Sequence, residues 1–330
     1  MSAIDTRARG PSAVATLAGR LRVTQRGLQV TLGFIWLLDG LLQFQAYMYA
    51  PTFIHGIIDP NIPGQPSFIG APMRTFANFY SHDQVLWNTL SGEIQCAIGL
   101  GLIVSRRTVR AALLVSFGWA FIVWWFGEGF GTLLTSAPVS PLMGAPGAVL
   151  VYGLIGALLW PRRDSESQGA VDGGLLGQHG AQLAWSALWL DAAVLWFLNV
   201  NRSASAIHDQ ITTMAGSAPS WLAGAQQSAA STAQGHGVLI ATVLGIASIL
   251  IALSVWTRVR TIGLATGAVL SLAYWVFGQN LGGPFWGGAA TDLNTGPLLV
   301  LLALTVAAQP LPRRATASSA THSGKMAVTA

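Results

Sequence analysis

The sequence predicts an all-α, polytopic membrane protein: eight transmembrane helices arranged as two parallel four-helix repeats. Three observations carry that expectation. The chain of 330 residues is 52% hydrophobic and 9% charged, with a mean hydropathy of +0.53, whereas a soluble domain averages about 25% charged residues. Apolar runs recur at lengths close to the roughly 20 residues that cross a hydrocarbon core. Finally, the two halves resemble each other at a shift of 151 residues.

Taken in order, the spans are expected near 27–49, 85–104, 110–127, 143–160, 182–200, 237–256, 260–277 and 293–309. The fourth and eighth are the shortest. Pro146 and Pro297 fall in their first turns, where a missing N–H costs little. The polar segment 1–26 reads as a cytoplasmic tail without a signal-peptide core. The first repeat covers 27–161, a Gly-rich cytoplasmic linker 162–181, and the second repeat 182–312. The tail 313–330 is rich in Ala, Ser and Thr and reads as disordered.

An even number of spans puts both termini on one side, and the basic residues choose it. Arg7, Arg9, Arg20, Arg22 and Arg26 precede the first span; Arg106, Arg107 and Arg110 lie between the second and third; Arg162 and Arg163 follow the fourth. In the second half Arg258, Arg260, Arg313, Arg314 and Lys325 take matching places, so 15 basic residues share one face and only Arg74 and Arg202 the other. By the positive-inside rule the termini are cytoplasmic. This clustering also accounts for the pI near 10, and no basic patch interleaves with aromatics, so nucleic acid is excluded as a partner. One cysteine, Cys96, cannot form an internal disulfide or a CxxC pair.

The 151-residue shift maps Arg107 to Arg258, Trp124 to Trp275, Gly127 to Gly278, Gly131 to Gly282 and Pro146 to Pro297. With one added residue Asp39 meets Asp191. Four spans per half give both halves the same direction, a parallel repeat about an axis along the membrane normal. Each half also has a long outer segment, 50–84 and 201–236.

Carboxylates inside apolar runs are costly, roughly 2.5–3.5 kcal/mol near the bilayer centre. Asp39 lies mid-span, with Gln43 and Tyr47 at i+4 and i+8 on one helical face. Asp191 has Asn199 at i+8. Glu93 accompanies a small and polar face of Asn88, Gly92, Gln95 and Gly99, suited to close helix approach, and the shift replaces it with Leu244. These residues are candidates for proton handling or for facing a cofactor; a structural bond to a neighbouring helix is the alternative for each. His55, His82, His208 and His236 sit at the outer ends of the spans, two per half, and imidazole ligates copper and haem iron. They show no HxxxH or HxH spacing.

The stretch WWFGEGFG at 124–131 returns as WVFGQNLG at 275–282. Its aromatics suit the membrane interface, and its glycines suit the end of a helix. Trp124 is also a candidate for stacking on a quinone. No strand precedes the glycines and no helix opens directly after them, so a phosphate loop is not expected. Glu128 becomes Gln279 in the second copy. With Glu93, it belongs to the first half alone, which points a single site to the outer part of that half.

The run GEIQCAIGLGLIVSRRTVRAALL from Gly92 onward resembles the second and third helices of DoxX and DoxD-like membrane proteins, and LGFIWLLDGLLQF is similar to their first helix. The resemblance covers most of 27–160, and 182–309 only through the repeat. Family members are four-helix units, so the chain would be two fused ones. The resemblance implies a membrane subunit of a redox system, with thiosulfate:quinone oxidoreduction or oxidative-stress enzymes as its setting. The residues that match are Gly92, Glu93, Arg106, Arg107, Ala111 and Ala112. Three functions therefore stand open: a quinone-linked redox component, a small-solute or ion transporter, and a scaffold holding a partner redox enzyme at the bilayer. Quinone, haem or copper are the cofactors considered, and the arginine-rich composition suggests the plasma membrane of a high-GC bacterium.

Overall fold

A computed structural model describes residues 23–135, 138–162, 171–287 and 289–309. Residues 1–22 of the expected tail 1–26, the expected tail 313–330, and 163–170 of the expected linker lie outside the described residues. So do Arg7, Arg9, Arg20, Arg22, Arg163, Arg313, Arg314 and Lys325.

Among the described residues the chain is helical and contains no strand. Helix α1 is Gln25–Leu42, α2 Ser67–His82, α3 Gln84–Val104, α4 Val109–Ile122, α5 Ala148–Leu158 and α6 Gly177–Phe197. There follow α7 Ala206–Ala215, α8 Ser220–Ala233, α9 Gly237–Ser254, α10 Arg260–Gly278 and α11 Thr295–Ala307. Among the described residues three helical segments are long and apolar enough to cross a membrane: Val109–Gly127, Gly237–Ser254 and Arg260–Gly278. Two shorter apolar helices, Ala148–Leu158 and Thr295–Ala307, pack beside them.

Helix α1 begins at a Thr24 cap, whose Oγ1 accepts from Gly27 N at 3.1 Å. It packs chiefly on α3. The small face of α3 makes this approach close: a β-carbon at Gly99 would lie 2.6 Å from Leu37 N, and one at Gly40 2.6 Å from Cys96 N. Helix α6 packs on α9 in the same manner of pairing, α4 on α5, and α10 on α11. The last helix also touches α5, α6 and α1, so the two halves share a core.

Several boundaries differ from the sequence expectation: α4 passes into a π turn after Ile122, and α6 begins at Gly177, inside the expected linker 162–181. The first helix stops at Leu42, not near 49; a 3-10 turn, Ala46–Tyr49, follows, and then Pro51, which lacks the N–H a continuing helix requires. Tyr47 therefore leaves the face of Asp39 and Gln43. The fourth apolar run becomes helical only at Ala148, so Pro146 precedes the helix while Pro297 does sit in the first turn of α11.

The ends of the helices fall into two groups. At one end Arg26 donates to Leu102 O and Ile103 O at 2.7 and 2.5 Å, Arg110 to Pro161 O at 3.0 Å, and Gln182 to Val255 O at 3.0 Å. Arg260 donates to Val306 O there. Arginines here cap helix C-termini, where the last carbonyls and the dipole favour a cation. The opposite end carries the short helices of 50–84 and 201–236.

Candidate functional site

The repeated aromatic–glycine stretch ends its helix in both halves. After α4 the chain makes a π turn, Val123–Gly127, then a left-handed run with φ of +54, +55, +65 and +56° at Gly129, Phe130, Gly131 and Thr132. Helix α10 runs to Gly278 without a π turn, and a left-handed run then follows at Asn280, Leu281, Gly282 and Gly283, with φ of +49, +52, +74 and +72°. Amide side chains from the two outer segments hold both turns. Asn61 Nδ2 donates to Gly127 O at 2.7 Å and Gln65 Nε2 to Gly129 O at 2.8 Å. In the second half Gln226 Nε2 donates to Val276 O at 2.9 Å and to Asn280 Oδ1 at 2.7 Å. Trp124 Nε1 donates to Pro146 O at 3.0 Å, and Trp275 Nε1 to Leu293 O at 2.7 Å. Each tryptophan thereby ties a helix end to the loop before the last helix of its half.

This arrangement brings Glu128 onto the N-terminus of α5. Val149 N donates to Glu128 Oε1 at 3.4 Å. Gln279 does the corresponding work for α11: Gly296 N and Thr295 Oγ1 each donate to its Oε1 at 3.2 Å. A helix N-terminus stabilises a carboxylate by about 0.3–1 kcal/mol. Burial, with the nearby Asp292 charge, outweighs that help and pushes Glu128 up to about 8.

Asp39, Gln43 and Glu128 line one cavity of about 250 Å³. Its walls are aromatic and aliphatic, with Trp36, Phe53, Phe76, Trp119 and Phe126 among them; Tyr152 and Asp292 add polar groups. Trp36 and Tyr152 rings lie 4.4 Å apart, and Phe76 stacks on Phe126 at 4.9 Å. Asp39 is 1% exposed and accepts a hydrogen bond from the Tyr152 hydroxyl. Its Oδ1, Glu128 Oε2 and Trp36 Nε1 are buried without a protein partner. Such groups cost about 1–3 kcal/mol each when left so, and the residues that bear them line one cavity.

Asp292 reaches this wall from the loop before α11, in the other half. Asn294 N and Thr291 Oγ1 donate to it at 2.5 and 3.0 Å, yet burial holds its carboxyl above the usual range. The loop is tied across: Gln43 Nε2 donates to Thr291 O at 3.4 Å and Gln45 Nε2 to Ala290 O at 3.0 Å. A second cavity, about 390 Å³, shares Asn61, Glu128 and Asp292 with the first. It reaches the surface at exposed Pro60 and Pro138, at the end opposite the capping arginines.

The remaining sequence candidates lie elsewhere. Glu93 is exposed, one residue off the buried face of Asn88, Gly92, Gln95 and Gly99. Tyr47 turns away from the cavity and donates to Thr52 O at 3.2 Å. Trp124 supports the loop at Pro146 without lining the cavity. Asp191 is partly buried in α6, away from both cavities, with Oδ2 unpartnered.

The histidines have local partners. His55 Nδ1 is 2.7 Å from Asp59 Oδ2, His82 Nδ1 2.6 Å from Asn78 O, His208 Nδ1 3.0 Å from Asp209 Oδ1, and His236 Nδ1 3.0 Å from Gln234 O. Among the described residues no three His, Cys, Asp or Glu stand together as a metal site would require. Sequence reasoning missed Tyr152 and Asp292. The signal for Asp292 was its place in TDLNTG, where Asp and Asn precede an apolar run as helix-capping residues do.

Compared with protein-family models, curated proteins and solved structures, the chain matches none.

Proposed function

We propose that the chain is an integral membrane protein, a tandem DoxX-like pair of four-helix units in a bacterial plasma membrane, whose cavity binds a quinone-type redox molecule and exchanges protons with it. The membrane reading draws support from the three long apolar helices and from the large side chains that face outward on them, such as Leu114, Phe121, Leu239, Val243, Ile262 and Val269. Eight crossings in two parallel repeats fit the like order of elements in the two halves, and the arginine distribution supports cytoplasmic termini.

One observation carries the quinone reading. A cavity walled by Trp36, Phe53, Phe76, Trp119 and Phe126 is also lined by Asp39 and Glu128, and Asp39 Oδ1, Glu128 Oε2 and Trp36 Nε1 are buried without a hydrogen-bond partner. A flat apolar ring with oxygens at its edge satisfies both halves of that description: the rings stack, the indole N–H donates to a carbonyl oxygen, and the carboxylates accept from the hydroxyls of the reduced form. The test is titration of the purified protein with decylubiquinone, followed by tryptophan fluorescence, together with extraction of native quinone. Quenching that Asp39→Asn weakens by about tenfold or more supports the reading. No quenching and no extractable quinone would discard it.

Transport of a small solute is the second reading, and the cavity of about 390 Å³ that shares a wall with the first and opens at the surface favours it. Uptake by proteoliposomes across a panel of ions and organic solutes tests it.

A further inference from the structure

We infer that Glu128 and Asp292 form a doorway through which the inner cavity exchanges protons with the aqueous phase at the end opposite the arginines. This deepens the quinone reading and rests on it for the identity of the proton donor. The geometry of the doorway stands by itself.

Asp39 lines the inner cavity only, whereas Glu128 and Asp292 line both cavities. A proton leaving the inner cavity toward the outer one therefore meets these two carboxylates at the common wall. The titratable groups that face Glu128 are Asp292 from the loop before α11 and Tyr152 from α5; Asp39 of α1 and Tyr80 of α2 line the same cavity. No Arg, Lys or His lines either cavity among the described residues, so no fixed cation locks Glu128 as a carboxylate. The transfer is balanced without a redox step. Glu128 first gives its own proton to water in the outer cavity; an O–H of the bound molecule then gives its proton to the Glu128 carboxylate, the O–H bond breaking as the new one forms and restoring the protonated acid.

Gln279 sharpens the inference. It caps α11 in the second half as Glu128 caps α5, with a neutral amide. Capping by itself therefore does not require a carboxyl group, and the acid in the first half is available for a further role.

The experiment uses the full chain in oriented proteoliposomes. A membrane-impermeant, water-soluble carbodiimide, which attacks protonated carboxyls, is applied from one side at a time and adducts are located by mass spectrometry. Glu128 is expected to react from the side opposite the arginines and not from the other. The yield should fall about tenfold between pH 7 and pH 9, as a group titrating near 8 requires. No adduct from either side, or reaction only from the arginine side, overturns the doorway. As a second measurement, infrared bands that Asp39→Asn removes should respond to a pH step on the doorway side, and at least tenfold more slowly in Glu128→Gln. An equal rate in that variant also overturns it. Side-specific labelling that decylubiquinone leaves unprotected would retain the doorway and discard the quinone.

Discussion

The Tyr152 hydroxyl donates a hydrogen bond to Asp39 across 113 residues of chain. This bond joins α5 to α1 and gives a fully buried carboxyl one of its partners, leaving Oδ1 buried without a side-chain partner. Removing the hydroxyl leaves the acid with neither oxygen served by a side chain. Tyr152→Phe should therefore destabilise the protein by about 1–3 kcal/mol, read as a lower midpoint of unfolding in detergent. Asp39→Asn in the same background should recover part of the loss, because it removes the buried acid. Additive losses would contradict this account of the pair.

Glu128 and Gln279 predict an asymmetric pair of variants. Glu128→Gln keeps an acceptor for the α5 N-terminus and should fold with stability within about 1 kcal/mol of the parent at neutral pH. Glu128→Ala removes the cap and should cost about 1 kcal/mol more than that. Thermal unfolding of the two variants side by side distinguishes them, and equal midpoints would refute the capping role.

Stability should also depend on pH through Glu128. Its folded value of about 8 lies above the ordinary 4.5. Between these values the folded state binds more protons than the unfolded chain, so stability falls as pH rises through that window and levels off above it. Asp292, also raised, acts in the same direction. Unfolding midpoints measured from pH 5 to pH 9 should decline, and Glu128→Gln should flatten the decline. A midpoint that rises with pH would contradict the buried placement of both acids.

Gly131 and Gly147 are required by the loop that positions Glu128. Gly131 has φ +65° and its Cα faces the Pro146 backbone; Gly147 has φ +106° and faces Glu128 Oε2. An alanine at either site meets both strain and collision, so each substitution should cost more than about 1 kcal/mol. Gly118→Ala and Gly153→Ala serve as controls, since nothing stands within 4 Å of an added β-carbon there; both should be neutral or slightly stabilising. Comparable losses at all four positions would count against the loop geometry.

Much of the helical framework was legible because apolar length and glycine punctuation are local signals. The runs near 85–104, 237–256 and 260–277 each became a helix with ends displaced by two residues or fewer, and the run near 110–127 became α4 to Ile122 and then a π turn to Gly127. The end of α1 was misjudged because Gln43 to Tyr49 is apolar enough to extend the run, and Pro51 acts from beyond it. Glu93 was grouped with the glycine face, although a step of one residue turns a side chain by roughly 100°; Asn88, Gly92, Gln95 and Gly99 by themselves define the buried side. Glu128 was visible through the contrast between two copies of one motif. Asp292 and Tyr152 were not visible as partners, because their proximity to Glu128 and Asp39 depends on packing between distant segments, which periodicity does not encode.

The bonds from Gln43 and Gln45 to Thr291 and Ala290, and the placement of Asp292, have a consequence for how the site could be assembled. One wall of the cavity is contributed by the far half of the gene. A fragment ending before Pro161 would carry Asp39, Tyr152 and Glu128 and still leave the chamber open where residues 290–294 cover it. Two separately expressed halves should restore ligand binding only when mixed, so fusion into one chain guarantees that each chamber is delivered with its own cover.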